Sequence, residues 1–194
     1  MPAAVPAVDA EVLLRIRERL PARSWEAITM AELADASGLS RMTLYRRGIT
    51  KDELLVQFSA RMADEYRDAL FGPLTAPGPA GERLRAALEA ICDVNERYLR
   101  LLDALAGSLE PVYHEDGEPG QPVLTRAVFT DALRRLLEDG ARDGSVAAEP
   151  SAETATLLLN AVDHTYRHMR VGHRWPADVA RRRVVALAVD GVLR

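Results

Sequence analysis

Apolar positions along the chain recur at three- and four-residue steps from end to end, and nowhere alternate as a strand would require. From Asp9 to Leu20, Val12, Leu13, Ile16 and Leu20 share one helical face while Arg15, Arg17 and Arg19 lie elsewhere, and Pro21 stops the helix. Residues 1–7, rich in Ala, Pro and Val, read as disordered. Thr29 with Glu32 is a capping box, and Met30, Leu33, Ala34 and Ser37 form the short face of a second helix. Gly38 ends it in the left-handed position that suits glycine. Ser40 caps a third helix, with Leu39 placed for a staple contact to Leu44. Thr50 with Glu53 is a second capping box, so a fourth helix starts there. Helix, glycine turn, helix is the helix-turn-helix arrangement, whose second helix is shaped for a DNA major groove.

The fourth helix runs to about Leu70, with Leu54, Leu55, Phe58, Met62, Tyr66 and Ala69 at helical steps. Phe71 to Gly81 (FGPLTAPGPAG) predicts a proline- and glycine-rich linker. A helix from Glu82 to about Ala106 follows, with the stripe Leu84, Leu88, Ile91, Asn95, Tyr98, Leu102, Leu105, in which Asn95 is the polar exception. Gly107 to Pro122 reads as a short turn of helix plus a loop. Val123 to about Asp143 is helical, with Phe129, Leu133, Leu136 and Leu137 on one face. Gly140 is tolerated inside it at a cost of about 1 kcal/mol. Ser151 caps a helix to about Gly172, and Pro176 fits the first position of the last helix.

Those two final helices have unusually broad apolar surfaces. One carries Leu157, Leu158, Leu159, Ala161, Val162, Thr165 and Met169; the other Val184, Val185, Leu187, Ala188, Val189, Val192 and Leu193. Helices so apolar need burial on two sides. Either they are the central core of a monomer, or a second copy covers them. In the second case residues 151–172 and 176–193 pair as a four-helix bundle and set two DNA-reading helices one duplex turn, or a multiple of it, apart.

Charge strengthens the reading of the opening stretch. Between Gly38 and Lys51 stand Arg41, Arg46, Arg47 and Lys51 without an acid, interleaved with the hydroxyls of Ser40, Thr43 and Tyr45. The whole-chain charge of −4 does not oppose this, because a nucleic-acid footprint is a local patch. The single cysteine, Cys92, excludes an internal disulfide and a cysteine-based zinc cluster. The first residues lack the basic and apolar regions of a signal peptide, and no apolar run is long enough to span a bilayer, so a cytoplasmic location is expected.

Catalytic chemistry finds no support. There is no phosphate-binding glycine loop, nucleophile elbow or HExxH. His164 and His168 stand one helical turn apart, but Arg167, Arg170 and Arg174 beside them oppose a cation. No metal site, cofactor or enzymatic activity is therefore assigned. Polar residues on apolar stripes suggest a small-molecule pocket instead.

The opening stretch resembles the tetracycline-repressor (TetR) family of transcriptional regulators. Its signature stands here as Trp25-Glu26-Ala27-Ile28-Thr29-Met30, Leu33-Ala34, Gly38-Leu39-Ser40, Thr43-Leu44-Tyr45 and Thr50-Lys51-Asp52-Glu53-Leu54-Leu55. The specific match covers the first third of the chain; the remainder is similar in architecture only. The resemblance implies an all-α protein of about nine helices. Residues 8–55 would form a three-helix helix-turn-helix DNA-binding domain, and residues 56–194 a helical effector-binding and dimerisation domain. It places Ser40, Arg41, Thr43, Tyr45, Arg46 and Arg47 on or at the end of the 40–47 recognition helix, Lys51 near a phosphate, Thr29 as a further phosphate contact and Tyr45 on the DNA backbone. Arg41 and Arg46 are the candidates for base reading, since a guanidinium pairs bidentately with guanine. The effector pocket it implies lies between the central helices, with Asn95, Tyr98, Phe129 and His164 as candidates; Asn95 equally suits a satisfied core position.

Two positions depart from the family pattern: Gly48 stands where phenylalanine is usual, and Ser24 where glycine is usual. Loss of that aromatic contact would cost several kcal/mol without compensation. Ile49 and Trp25 are candidate fillers, and Gly48 can stop the recognition helix more sharply. The expected function is a ligand-responsive homodimeric repressor binding a palindromic operator. The alternative, supported by Gly48, is a helical small-molecule- or metal-binding protein that has lost DNA binding.

Overall fold

A computed structural model describes residues 8–105, 126–147 and 149–190, with the side chains of 126–129 excepted. Among these residues the chain is all-α, with no strand: α1 (Ala10–Arg19), a 3-10 turn (Trp25–Ala27), α2 (Met30–Ser37), α3 (Arg41–Arg46), α4 (Lys51–Thr75), α5 (Ala80–Ala104), α6 (Arg126–Asp143), α7 (Ala152–Val171) and α8 (Ala177–Asp190). The readings placed on residues 1–7, 107–125 and 192–193 lie outside the described residues.

The described chain divides into two compact units. The first contains the described parts of 1–63 and 98–124, the second those of 64–97 and 125–194. In the first, α1 packs on α2 and α2 on α3. Its core holds Ile16, Trp25, Ile28, Leu33, Leu44, Leu54 and Phe58. Trp25 meets Phe58 edge to face at 6.5 Å, as a domain this small requires of its large aromatic. In the second unit α6 packs on α7 and α7 on α8. There Leu84, Leu88, Ile91, Leu133, Leu136, Leu137, Leu159 and Val162 are buried.

Three helix boundaries differ from the sequence pattern. The linker expected over Phe71–Gly81 is much shorter, because α4 continues through Gly72 and Pro73 to Thr75. Pro73 has no N–H to give the Ala69 carbonyl, so α4 loses one helical bond two residues before its end. Thr75 Oγ1 donates to the Phe71 carbonyl at 2.8 Å there. Helix α5 starts at Ala80 and not at Glu82, because caps arrive from far along the chain. Ala80 N–H donates to Asp143 Oδ2 at 2.7 Å and Gly81 N–H to Ser145 Oγ at 2.9 Å. Pro176 precedes the first residue of α8 and offers its carbonyl to Ala180 N–H at 2.9 Å.

Gly140 is more than a tolerated defect of α6. A Cβ there would lie 2.3 Å from Val146 Cγ2 and 2.8 Å from Val146 Cβ. Val146 is buried and donates its N–H to the Gly140 carbonyl at 3.1 Å. Glycine is what lets the chain fold back onto the helix.

Candidate nucleic-acid interface

The site is assembled from local rules that repeat. Thr29 Oγ1 accepts from Glu32 N–H and the Glu32 carboxylate accepts from Thr29 N–H at 2.9 Å, completing the box that starts α2. After α2 the chain turns at Gly38, φ 74°, where Leu39 N–H reaches the Ala34 carbonyl and Gly38 N–H that of Asp35. Ser40 Oγ accepts from Thr43 N–H at 3.1 Å and starts α3.

The same closure ends α3. Gly48 has φ 64°, its N–H donates to the Tyr45 carbonyl at 2.9 Å, and Ile49 N–H donates to Leu44 at 3.0 Å. This is a Schellman turn, in which the residue after the glycine turns back to the core. Ile49 and Leu44 are both buried. The departure at Gly48 therefore has a structural explanation: glycine takes the left-handed position, and Ile49, the residue after it, is buried. Thr50 and Glu53 then repeat the capping box, with Thr50 N–H donating to Glu53 Oε2 at 2.7 Å.

Lys51 joins these parts. Its ammonium donates to the carbonyls of Trp25 at 2.7 Å, Ile28 at 2.7 Å and Glu26 at 3.3 Å, and lies 5.4 Å from the centre of the Trp25 ring. An ammonium has three protons, and these three carbonyls take them all. Lys51 thus brings positive charge to this surface while its protons are spent on the 3-10 turn.

Helix α3 shows opposite faces. Leu44 is buried and Thr43 half-buried, whereas Ser40, Arg41, Met42, Tyr45, Arg46 and Arg47 are exposed. Tyr45 is 80% exposed and Met42 63%. Among the described residues no carboxylate pairs with Arg41, Arg46 or Arg47. Thr29 is exposed at the start of α2. The eight residues read from the sequence are thus gathered on the helix-turn-helix, and Met42 is the exposed apolar residue that reading omitted. Its position one helical step from Arg41, opposite Leu44, was the available signal.

The effector candidates have separate surroundings. Asn95 is fully buried in the second unit. Its Oδ1 accepts from Tyr66 Oη, and its Nδ2 donates to Asp163 Oδ1 at 2.9 Å. Arg167 closes on the other Asp163 oxygen at 2.7 Å. Asp163, 4% exposed, is the polar partner that the sequence reading did not select. His164, the next residue, is exposed, with Nδ1 3.3 Å from Arg167 Nη2. Tyr98 is buried in the first unit, under the Arg17 guanidinium at 4.6 Å. The Phe129 side chain lies outside the described residues. A second polar cluster joins α5 to α7, where Glu96 accepts from Tyr166 Oη at 2.8 Å and Arg170 Nε at 2.8 Å. The Arg170 guanidinium holds the Glu96 carboxyl below its ordinary range, against burial, with Tyr166 assisting. Burial pushes the Cys92 thiol up to about 12, so it stays protonated at neutral pH.

No family model matches the chain. The helix-turn-helix regulator AlkX of Mycobacterium tuberculosis is 35% identical over 65 residues, which are 34% of this chain and 31% of that protein. The chain thus matches less than a third of that relative's length. Among solved structures, the TetR-family regulator PfmR of Thermus thermophilus superposes with a TM-score of 0.71 at 22% identity, covering 92% of this chain and 97% of that one. The regulator FadR of Bacillus subtilis, solved in complex with stearoyl-CoA, superposes with a TM-score of 0.69 at 13% identity, covering 93% and 97%. In nearly its whole length, the chain has the fold of the TetR-family transcriptional regulators.

Proposed function

We propose that this protein is a ligand-responsive, homodimeric DNA-binding repressor that reads a palindromic operator through residues 40–47. One observation carries the proposal: α3 is pinned at both ends by glycine turns and presents exposed Arg41, Tyr45, Arg46 and Arg47, with no described carboxylate paired to the three arginines. Arg41 and Arg46 would pair with base edges, while Thr29, Ser40, Thr43, Tyr45 and Arg47 would contact phosphates. Lys51 would add charge more than a hydrogen bond. The domains would divide at residue 55, with 8–55 reading DNA and 56–194 binding effector and partner.

The second copy is assigned to α7 and α8. Leu158, Leu159, Val162, Val184, Val185 and Val189 are buried within the chain, whereas Leu157 is 71% exposed and Leu187 76%, so part of the apolar surface of these helices is left uncovered. A two-fold axis would place the two heads about 34–36 Å apart, or at a multiple of this. Asn95, Tyr98, Phe129 and His164 stand as effector candidates, and FadR, of the same fold, binds stearoyl-CoA. An effector acts by binding one dimer arrangement better than the other. Among the described residues no arrangement favours an enzyme, and no helix is long and apolar enough to cross a membrane. A cytoplasmic location fits this role. With Gly48 accounted for by the turn it makes, no observation favours the reading in which DNA binding has been lost.

Fluorescence anisotropy on a duplex covering the protein's own promoter tests the proposal. Expected is binding that weakens steeply with salt, and a loss of about ten-fold or more in Arg46→Ala, the size of one bidentate base contact. Absence of binding at low salt, or a monomer by light scattering at micromolar concentration, overturns it.

A further inference from the structure

We infer that Met42 is a base-reading residue, and that it recognises the C5-methyl group of a thymine in each half-site. The inference rests on the DNA-binding reading above and deepens it. At about 100° per residue, Arg41, Tyr45, Met42 and Arg46 follow one another around an arc of roughly 140° on α3. Leu44 lies on the opposite side, in the core. The middle of the outward face is therefore occupied by Tyr45 and Met42, with a guanidinium at either edge.

A methionine that packs in a core is covered, yet Met42 is 63% exposed. It lines an open groove of about 800 Å³ on the helix-turn-helix whose apolar wall also includes Met30, Tyr45 and Ile49. A thioether donates no hydrogen bond and accepts only weakly, so it cannot read the polar edge of a base. The thymine methyl is the apolar group that a base pair offers in the major groove. An unbranched side chain with three rotatable bonds can settle on it without demanding one rotamer. The half-site this implies has a thymine between positions read by Arg41 and Arg46, where guanine suits a guanidinium.

The test uses the full chain and duplex DNA. Sequences bound by the wild-type protein are selected from a random duplex library, and each thymine of the recovered site is replaced by deoxyuridine, which removes the methyl and leaves base pairing unchanged. One thymine per half-site should weaken binding by about four-fold on replacement, the effect of burying one methyl-sized group. Met42→Ala should bind the thymine duplex more weakly and lose the distinction; Met42→Leu should keep it. If no thymine is sensitive, or sensitivity persists in Met42→Ala, the assignment is overturned while the DNA-binding reading stands. Sensitivity lost in Tyr45→Ala alone moves the contact to the tyrosine and also overturns it. If selection enriches no sequence, the DNA-binding reading falls, and this inference with it.

Discussion

Replacing Asn95 with leucine separates a brace from a binding site. The two side chains have the same number and branching of heavy atoms, so no cavity results, and the change falls mainly on hydrogen bonds. Asn95 Oδ1 accepts from Tyr66 Oη and Nδ2 donates to Asp163 Oδ1 at 2.9 Å. The first bond contributes about 1 kcal/mol, and the second, to a carboxylate, about 1.5–3 kcal/mol. Asp163 is 4% exposed, so water cannot readily replace the lost donor, and its other oxygen is already held by Arg167. Asn95→Leu should therefore destabilise the fold by about 3 kcal/mol, lowering Tm by about 6–12 °C for a chain of this size. Urea unfolding followed by circular dichroism measures this directly. A cycle with Asp163→Leu should show strong coupling, because each change removes the other's partner. A loss below about 0.5 kcal/mol, the level of an ordinary surface substitution, would refute the account of Asn95 as a brace.

Two further outcomes follow from the same unit. The Glu96 carboxyl is held below its ordinary value of 4.5 by Arg170, so its contribution to stability is complete above that value and fades as pH falls through the lowered one. The stability advantage of wild type over Glu96→Gln should therefore shrink as pH falls below 4.5 and through the lowered value, as chemical unfolding at each pH would report. Gly140→Ala gains about 1 kcal/mol in helix propensity but meets both Val146 Cβ and Cγ2, which a rotamer change alone cannot clear. A net loss of about 1–2 kcal/mol is expected in a thermal melt, and a smaller loss when the same change is made in a Val146→Gly background.

What was legible in the sequence is what short-range chemistry decides. Thr29 with Glu32, Ser40, Thr50 with Glu53 and Ser151 each lie within three residues of the groups they cap, and the structure places all of these caps. The seven-residue stripe from Leu84 to Leu105 is buried throughout, Asn95 included. The early start of α5 was not legible, because its caps come from Asp143 and Ser145, more than 60 residues away. The same distance hid the meaning of Asn95, whose partner Asp163 lies on another helix. In α7 the pattern drew attention to His164, while the buried polar residue is its neighbour Asp163. Pro73 misled for a different reason: a proline signals a break, but this one stands two residues before the helix ends and removes a single backbone bond.

The recognition helix is six residues long and lies between left-handed glycines at 38 and 48. Its length is fixed, because an added residue would rotate Leu44 out of the core and move Gly48 away from its turn. Its outward positions 41, 42, 45 and 46 make no comparable demand on folding. Substitutions there cost little stability, so mutation can explore new binding preferences without first endangering the scaffold. In evolutionary terms the stretch behaves as an exchangeable cartridge: duplicated copies of the gene could diverge to different DNA sites through four side chains while keeping the rest unchanged.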